Sequence, residues 1–326
     1  MKRTKKEVVA YVLDGKGGAE KIEPNDVKKE LKKGKAVWVH LNLAYFNSEN
    51  RNQEFPYINK WVFDNLICSD IHGSKIRIYQ NRLLLILKTL RSSSGMLSDD
   101  FDVLRIYLKG NLIITASMKS GVDFSETNRR FNSQNGPKEA IEVLLYILES
   151  ILDNIVHSID SVEDMVNDVE EKIVIGKVQD SHYPLLSKLL RHVIVIRRFI
   201  IPEREIVDIL VRQGGQFLSP EMERRFRDNF DRNRRIIEEV DLTEKRIRLN
   251  QDFLSHLEDR KTQRNTYMLS IVSGVFLPLS YVASVFGMNL SGIPLSEYQF
   301  GFLLVNIIMV IIGIFIWFLF KRLKWV

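Results

Sequence analysis

Only one cysteine, Cys68, stands in 326 residues. That excludes a disulfide framework and a cysteine-rich zinc site within one chain. No G-x4-GK[ST] motif is present, since Gly15-Lys16-Gly17-Gly18 is too short and wrongly spaced to cradle a nucleotide's phosphates. The six histidines show neither H-x3-H nor H-E-x-x-H spacing, so His40, His72, His157, His182 and His192 read as ordinary surface or core residues. No nucleophile elbow, paired-carboxylate signature or cofactor loop emerges, and a soluble enzyme is the class with least support. With 45% hydrophobic and 27% charged residues, the chain is neither disordered nor a small stapled scaffold.

A general excess of positive charge is missing too. The formal charge is +6, but Arg260 to Val326 holds six basic residues and one acid, Glu297, for +5. Residues 1–259 then carry 41 basic and 40 acidic side chains, or +1. The charge is local, and a nucleic-acid partner loses most of its support.

Within that C-terminal segment lie two long runs without any charge, Tyr267 to Met288 (22 residues) and Phe300 to Phe320 (21 residues). Each is long enough to cross a hydrocarbon core of roughly 30 Å as a helix. The N-terminus turns charged again after a short strand-like run, so no signal peptide is expected there. Arg260, Lys261 and Arg264 precede the first run, Lys321, Arg322 and Lys324 follow the second, and the connector Asn289–Gln299 has no Lys or Arg. The positive-inside rule therefore places both termini in the cytoplasm and the connector outside. Tyr298, Trp317 and Trp325 sit near the ends of the second run, where amphipathic rings favour the interface.

Residues 1–135 read as a cytosolic α/β domain. Strands are expected at Val8–Leu13, Ala36–Leu43, Lys75–Tyr79, Arg82–Leu90, Val103–Lys109 and Asn111–Ser117, with hairpin turns at Gln80-Asn81 and Gly110-Asn111. Pro24–Lys33 and Pro56–Leu66 look like short helices opened by proline, and Ser92–Asp100 is a loop. From Pro137 the apolar period becomes 3.6. Residues 136–265 form a helical and stalk region, with helices from Pro137, from about Pro184 to Arg212, and from Pro220 onward. Pro220 to Phe286 reads as one helix of 67 residues, about 100 Å at 1.5 Å per residue. A helix of that length needs lateral partners, which points to an oligomer. Residues 266–326 make the transmembrane hairpin.

Along the first span, Thr266, Ser270, Ser273, Leu277, Ser280 and Ser284 recur at steps of four, three, four, three and four. They mark one small, mostly polar face that leads to Gly287 and Asn289. Around a rotation axis each position becomes a ring, as an ion conduit requires. Membrane serines also bond back to their own helix or glue helices together, and for any single serine that reading stands level with the first. Continued downward, the face passes Gln263, Asp259, His256 and Asp252. Asp252, His256 and Asp259, at i, i+4 and i+7, suit a ring of oxygen and imidazole ligands for zinc or a similar ion. A solvated helix face with ordinary charge pairs is the alternative, and for His256 alone the better one. Pro278, four residues after Gly274, marks a possible kink.

The first span ends in Gly287-Met288-Asn289. With a cytosolic α/β domain, a long helical stalk, a short loop, a last span and a basic tail, the whole chain resembles the CorA metal-ion transporter family. Val37-Trp38-Val39-His40-Leu41-Asn42, Arg197-Arg198 ahead of Pro202, and Asn289–Pro294 followed by Gln299–Phe302 resemble its ZntB-like zinc branch. Magnesium-carrying members tend to place acids after the tripeptide, where this chain has only Glu297, whereas Met288 is the magnesium-type middle residue. The resemblance implies an α+β membrane protein of the inner membrane, assembled as a homopentamer with the first spans around the pore. It also implies Gly287, Met288 and Asn289 as selectivity filter, Asp252 as an acidic pore position, and Asp228 as a cytosolic divalent site between subunits. The implied activity is zinc uptake with proton coupling, and a magnesium or cobalt channel gated by cytosolic metal is the alternative. The cargo is a divalent cation (zinc, otherwise magnesium, cobalt or nickel), and no cofactor is implied. A two-span anchored scaffold or sensor is the competing class, but it leaves the polar face of the first span unexplained.

Overall fold

The computed structural model describes residues 8–43, 62, 66, 74–90, 101–117, 125–288 and 299–322. Seven strands, β1 (Val8–Leu13), β2 (Ala19–Ile22), β3 (Val37–Asn42), β4 (Lys75–Tyr79), β5 (Arg82–Leu90), β6 (Phe101–Lys109) and β7 (Leu112–Ser117), form one sheet in the order β2-β1-β3-β7-β6-β5-β4. β3 and β7 run parallel, with Val37 opposite Leu112, and the other pairs are antiparallel. Strand β5, paired on both sides, is buried on both faces, with Leu83, Leu85 and Leu87 on one and Leu84 and Ile86 on the other, which explains its unbroken apolar run. Edge strand β4 instead exposes Lys75 and Arg77, charges that discourage pairing with another sheet.

One face carries a core that includes Val12, Val39, Leu41 and Ile114, joined by Val27 of helix α1 (Val27–Lys32) and by Val62 and Leu66. On the opposite face helix α3 (Ala140–Val174) packs across β3, β5 and β7. Helix α2 (Ser125–Asn132) also packs on the sheet, its Phe131 meeting the rings of Tyr11 and Trp38. The two-residue turns place Gln80 at φ 46° and Gly110 at φ 53°, the positive first position that tight hairpins need.

Helix α3, helix α4 (His182–Gln213) and the first part of helix α5 (Pro220–Phe286) make a three-helix bundle. Each contributes a seam of buried residues spaced by three and four: Leu145, Leu148, Leu152 and Ile155 in α3; Leu189, Val193, Ile196 and Ile200 in α4; and Phe226, Asn229, Asn233 and Ile236 in α5. Polar pairs fix the register. Arg225 bonds Glu142, Arg232 bonds Asp153 at 2.6 Å, Thr243 bonds Glu163 at 2.7 Å and Arg246 bonds Glu170 at 2.7 Å, so α3 and α5 run parallel. Arg197 meets Asp241 at 2.8 Å and Gln251 donates to Ser187, so α4 runs the other way.

The chain divides into two compact units, Met1–Gln251 and Asp252–Val326. The second holds the end of α5 and helix α6 (Gly301–Arg322). Helix α5 passes through Pro278 as one helix, so the expected length of 67 residues is found. Strand β2 and helix α2 lie outside the elements the sequence suggests. β2 reads Ala-Glu-Lys-Ile at the sheet edge, and two charges in four residues hide its strand character. The suggested helix over Pro56–Leu66, apart from Val62 and Leu66, and the loop Ser92–Asp100 lie outside the described residues.

Candidate functional site

In the second unit, α5 and α6 are the two helices long and apolar enough to cross a membrane. On α5 the half-buried residues are Ile271, Gly274, Val275, Pro278, Leu279, Val282 and Val285, and on α6 they are Val305, Met309, Ile312, Gly313, Ile316 and Phe320. Both sets step by three and four, the pattern of two helices packed at a shallow angle. At Gly274 the two helices pack tightly: an added Cβ would stand 2.9 Å from the tip of the Phe320 ring. A small residue here lets the helices touch, as membrane packing prefers.

The stripe of Thr266, Ser270, Ser273, Leu277, Ser280 and Ser284 is exposed along its whole length. At 3.6 residues per turn it points roughly 140° away from the α6-packed face. Ser270 donates to the Thr266 carbonyl at 2.9 Å, so one member bonds back into its own helix. Ser273, Ser280 and Ser284 make no hydrogen bond among the described residues, leaving their hydroxyls available to water or a hydrated ion. Leu277, 70% exposed, is the one large apolar side chain of the stripe. Apolar residues also cover the outer surface of α6, among them Phe302, Ile311, Phe315 and Phe318, while Lys321 lies over the Trp317 ring. That surface suits lipid.

At the top, the Gly287 amide bonds the Ala283 and Ser284 carbonyls at 2.9 and 3.2 Å and closes the helix. A Cβ on Gly287 would stand 3.2 Å from the Ala283 oxygen. Met288 is 48% exposed. Asn289, the third residue of the tripeptide, lies outside the described residues.

Lower on α5, Asp228, Asp252, His256 and Asp259 are all exposed. Asp252 and Asp259 are seven residues apart, about 10 Å along the axis. Among the described residues no group of three or more His, Cys, Asp or Glu side chains converges to hold a metal. A site with three or more such ligands at these positions would draw on more than one copy.

The strand motif Trp-x-His has a structural explanation. Trp38 Nε1 donates to Thr115 Oγ1 at 3.0 Å, and His40 Nδ1 lies 2.9 Å from the same oxygen. Burial pushes the His40 imidazole down to about 4, so it stays neutral around pH 7. In the bundle, Glu203 is 2% exposed, and burial pushes its carboxyl up to about 8. The hydrogen bond from Arg246 holds Glu170 below the usual carboxylate range. Sequence reasoning gave no sign of Glu203. An acid at a seam position was the available signal, because ionisable residues seldom occupy such positions unpaired.

A seven-stranded sheet and a helix bundle, followed by two helices long and apolar enough to cross a bilayer, give the fold class of an α+β membrane protein. The model of the CorA-like Mg2+ transporter protein family matches residues 33–322, and the chain belongs to that family. It is thus a divalent metal-ion transporter, not an enzyme. It is 28% identical to the zinc transport protein ZntB of Enterobacter sp. (strain 638), over 98% of this chain and 95% of the relative. Among solved structures, full-length CmaX has a TM-score of 0.81 at 23% identity, covering 99% of this chain and 100% of the other. The complete CorA magnesium transporter from Methanocaldococcus jannaschii has a TM-score of 0.80 at 17% identity, covering 98% of each chain. The ZntB cytoplasmic domain from Vibrio parahaemolyticus matches 78% of this chain, and all of its own, with a TM-score of 0.63 at 18% identity. At these identities the solved structures support the fold.

Proposed function

We propose that the chain carries zinc across the inner membrane as a homopentamer, through a pore lined by the first span. The observation that carries this reading is the exposed small-polar stripe on α5, turned away from α6. Five copies would convert it into stacked hydroxyl rings with one apolar ring at Leu277. Gly287, Met288 and Asn289 would form the filter at the outer end, where neutral oxygens suit an ion held through its water shell. Asp252, His256 and Asp259 would line the cytosolic mouth as rings, and Asp228 would contribute to a divalent site between neighbouring subunits. Both termini would face the cytoplasm, with residues 1–135 and 136–265 as the soluble regions and 266–326 as the hairpin. Zinc as cargo is supported by the likeness to ZntB over nearly the whole chain.

No nucleotide-binding loop is present to drive transport. At about 2.3 kcal/mol per charge per 100 mV, a divalent cation gains nearly 5 kcal/mol on entering a cell at that potential. Uptake is the favoured direction, and an inward proton gradient would add to it.

Sealed liposomes containing a zinc-sensitive dye test the reading. Zinc flux that resists excess external magnesium and grows with an inward proton gradient is the expected result. Flux abolished by magnesium and indifferent to pH would reassign the chain to magnesium or cobalt. Absence of flux from an intact oligomer would refute transport by this pore.

A further inference from the structure

Two surfaces of the helix bundle carry opposite charge at the same height. On α3, Asp160, Asp164, Asp168 and Glu171 are exposed along one stripe, and of these Asp168 has Lys172 as a local partner at 3.1 Å. On α4, a groove of about 580 Å³ is lined by Arg191, Arg198 and Lys88 of β5 over an apolar floor that includes Leu190, Ile194 and Val195. Arg191 and Arg198 are exposed and make no ion pair among the described residues.

The register contacts give the heights. On the α3 side, Glu163 meets Thr243 and Glu170 meets Asn250. On the α4 side, Ser187 meets Gln251 and Arg197 meets Asp241. Residues 160–171 of α3 and 187–198 of α4 therefore flank the same stretch of α5, about 240–251. The acids at matching heights are Asp160 and Asp168. Arg198 and Asp160 both stand level with about residue 240 of α5, and Arg191 and Asp168 with about 247–248. Rotation about an axis parallel to the bundle leaves height unchanged, so only patches at equal height can meet between neighbours in a closed ring. Different patches on two faces of one subunit make a head-to-tail contact, the kind that closes rings.

We propose that the basic groove of α4 receives the acidic stripe of α3 from a second copy of this chain, and that this contact joins the cytosolic bundles around the ring. The inference rests on the ring-shaped assembly proposed above. The exposed arginines supply the charge, and the apolar floor takes the aliphatic stems of the acidic helix. Exposed charges make the contact salt-sensitive.

The test uses the full chain in detergent, in a Cys68→Ser background. One preparation carries Asp168→Cys, a second carries Ile194→Cys, and both are co-expressed and treated with a short bis-maleimide. A dimer band present in the mixture and missing from either variant alone is the expected result, because only unlike copies can be joined this way. Arg191→Glu with Arg198→Glu in the Ile194→Cys chain should lower its yield at least tenfold. Asp160→Lys with Asp164→Lys in the Asp168→Cys chain should then restore it. Native mass spectrometry is run in parallel. A multimeric mass without the mixed link would overturn this contact while leaving the ring standing, and a monomeric mass would remove the ring and the contact together. A link that survives charge reversal would show that the charges do not make the interface. Binding to phosphatidylglycerol vesicles that disappears on reversal, with linking unchanged, would assign the groove to lipid and equally overturn the proposal.

Discussion

Replacing Glu203 by methionine is expected to stabilise the helix bundle, and to do so more strongly as the pH rises. The carboxyl sits in the α4 seam between Ile200 and Ile206, and its Oε1 has no hydrogen-bond partner. Burial moves its titration from 4.5 to about 8. The unfolded chain loses this proton near 4.5 and the folded chain holds it until about 8, so stability falls progressively as pH climbs between the two. At 1.36 kcal/mol per unit, that is under about 1 kcal/mol at pH 5, about 3 kcal/mol at pH 7 and nearly 5 kcal/mol well above pH 8. Methionine has a similar volume and no charge to bury. Urea unfolding of the full chain in detergent, followed by circular dichroism at pH 5, 7 and 8.5, reads the difference directly. The advantage of the variant should widen at each step, and Glu203→Gln should flatten the pH profile in the same way. Profiles for Glu203→Met and the parent that run parallel from pH 5 to 8.5 would refute the reasoning, since the carboxyl would then be ionising without cost.

Thr115→Val removes the hydroxyl that both Trp38 and His40 meet, and should lower stability by about 1–3 kcal/mol, measured by the same unfolding assay. For His40 the sign is opposite to that for Glu203: its neutral form is the buried one, so its contribution is lost as pH falls from about 6.5 toward about 4. His40→Gln should therefore flatten the acid limb of the stability curve. Gly274→Leu should separate α5 from α6 and reduce the yield of intact oligomer on size exclusion, while Gly274→Ala, which meets only the swinging tip of Phe320, should be tolerated. Leu277→Ser should raise zinc flux into liposomes several-fold by removing the apolar ring from the stripe, and Asn289→Leu should abolish flux with assembly retained.

Much of this architecture was legible in the sequence, for identifiable reasons. The long helix could be read from Pro220 to Phe286 because glycine and proline are missing from Met222 to Ser273 and the apolar period persists. The strands with alternating or continuous apolar runs appear within a residue or two of their places. The stripe on the first span was visible as a spacing, but its orientation away from α6 required the packed hairpin. The bundle register was not legible, since it depends on side-chain pairs such as Arg232 with Asp153 that lie 79 residues apart. His40 reads from the sequence as an ordinary residue, and only the sheet reveals that it meets a threonine on the neighbouring strand.

The parallel pairing of β3 with β7 sets an order on synthesis. Val37 has to wait for Leu112, so the sheet cannot close until the hairpins between them have left the ribosome. From Ser117 to the first apolar run at Tyr267 another 150 residues are made. At about 5–20 residues per second this takes on the order of 10–30 s, ample for a domain to fold. The cytosolic sheet is thus complete before any segment able to enter a bilayer emerges, and a chain stalled before Tyr267 should already protect the β3–β7 amides from exchange.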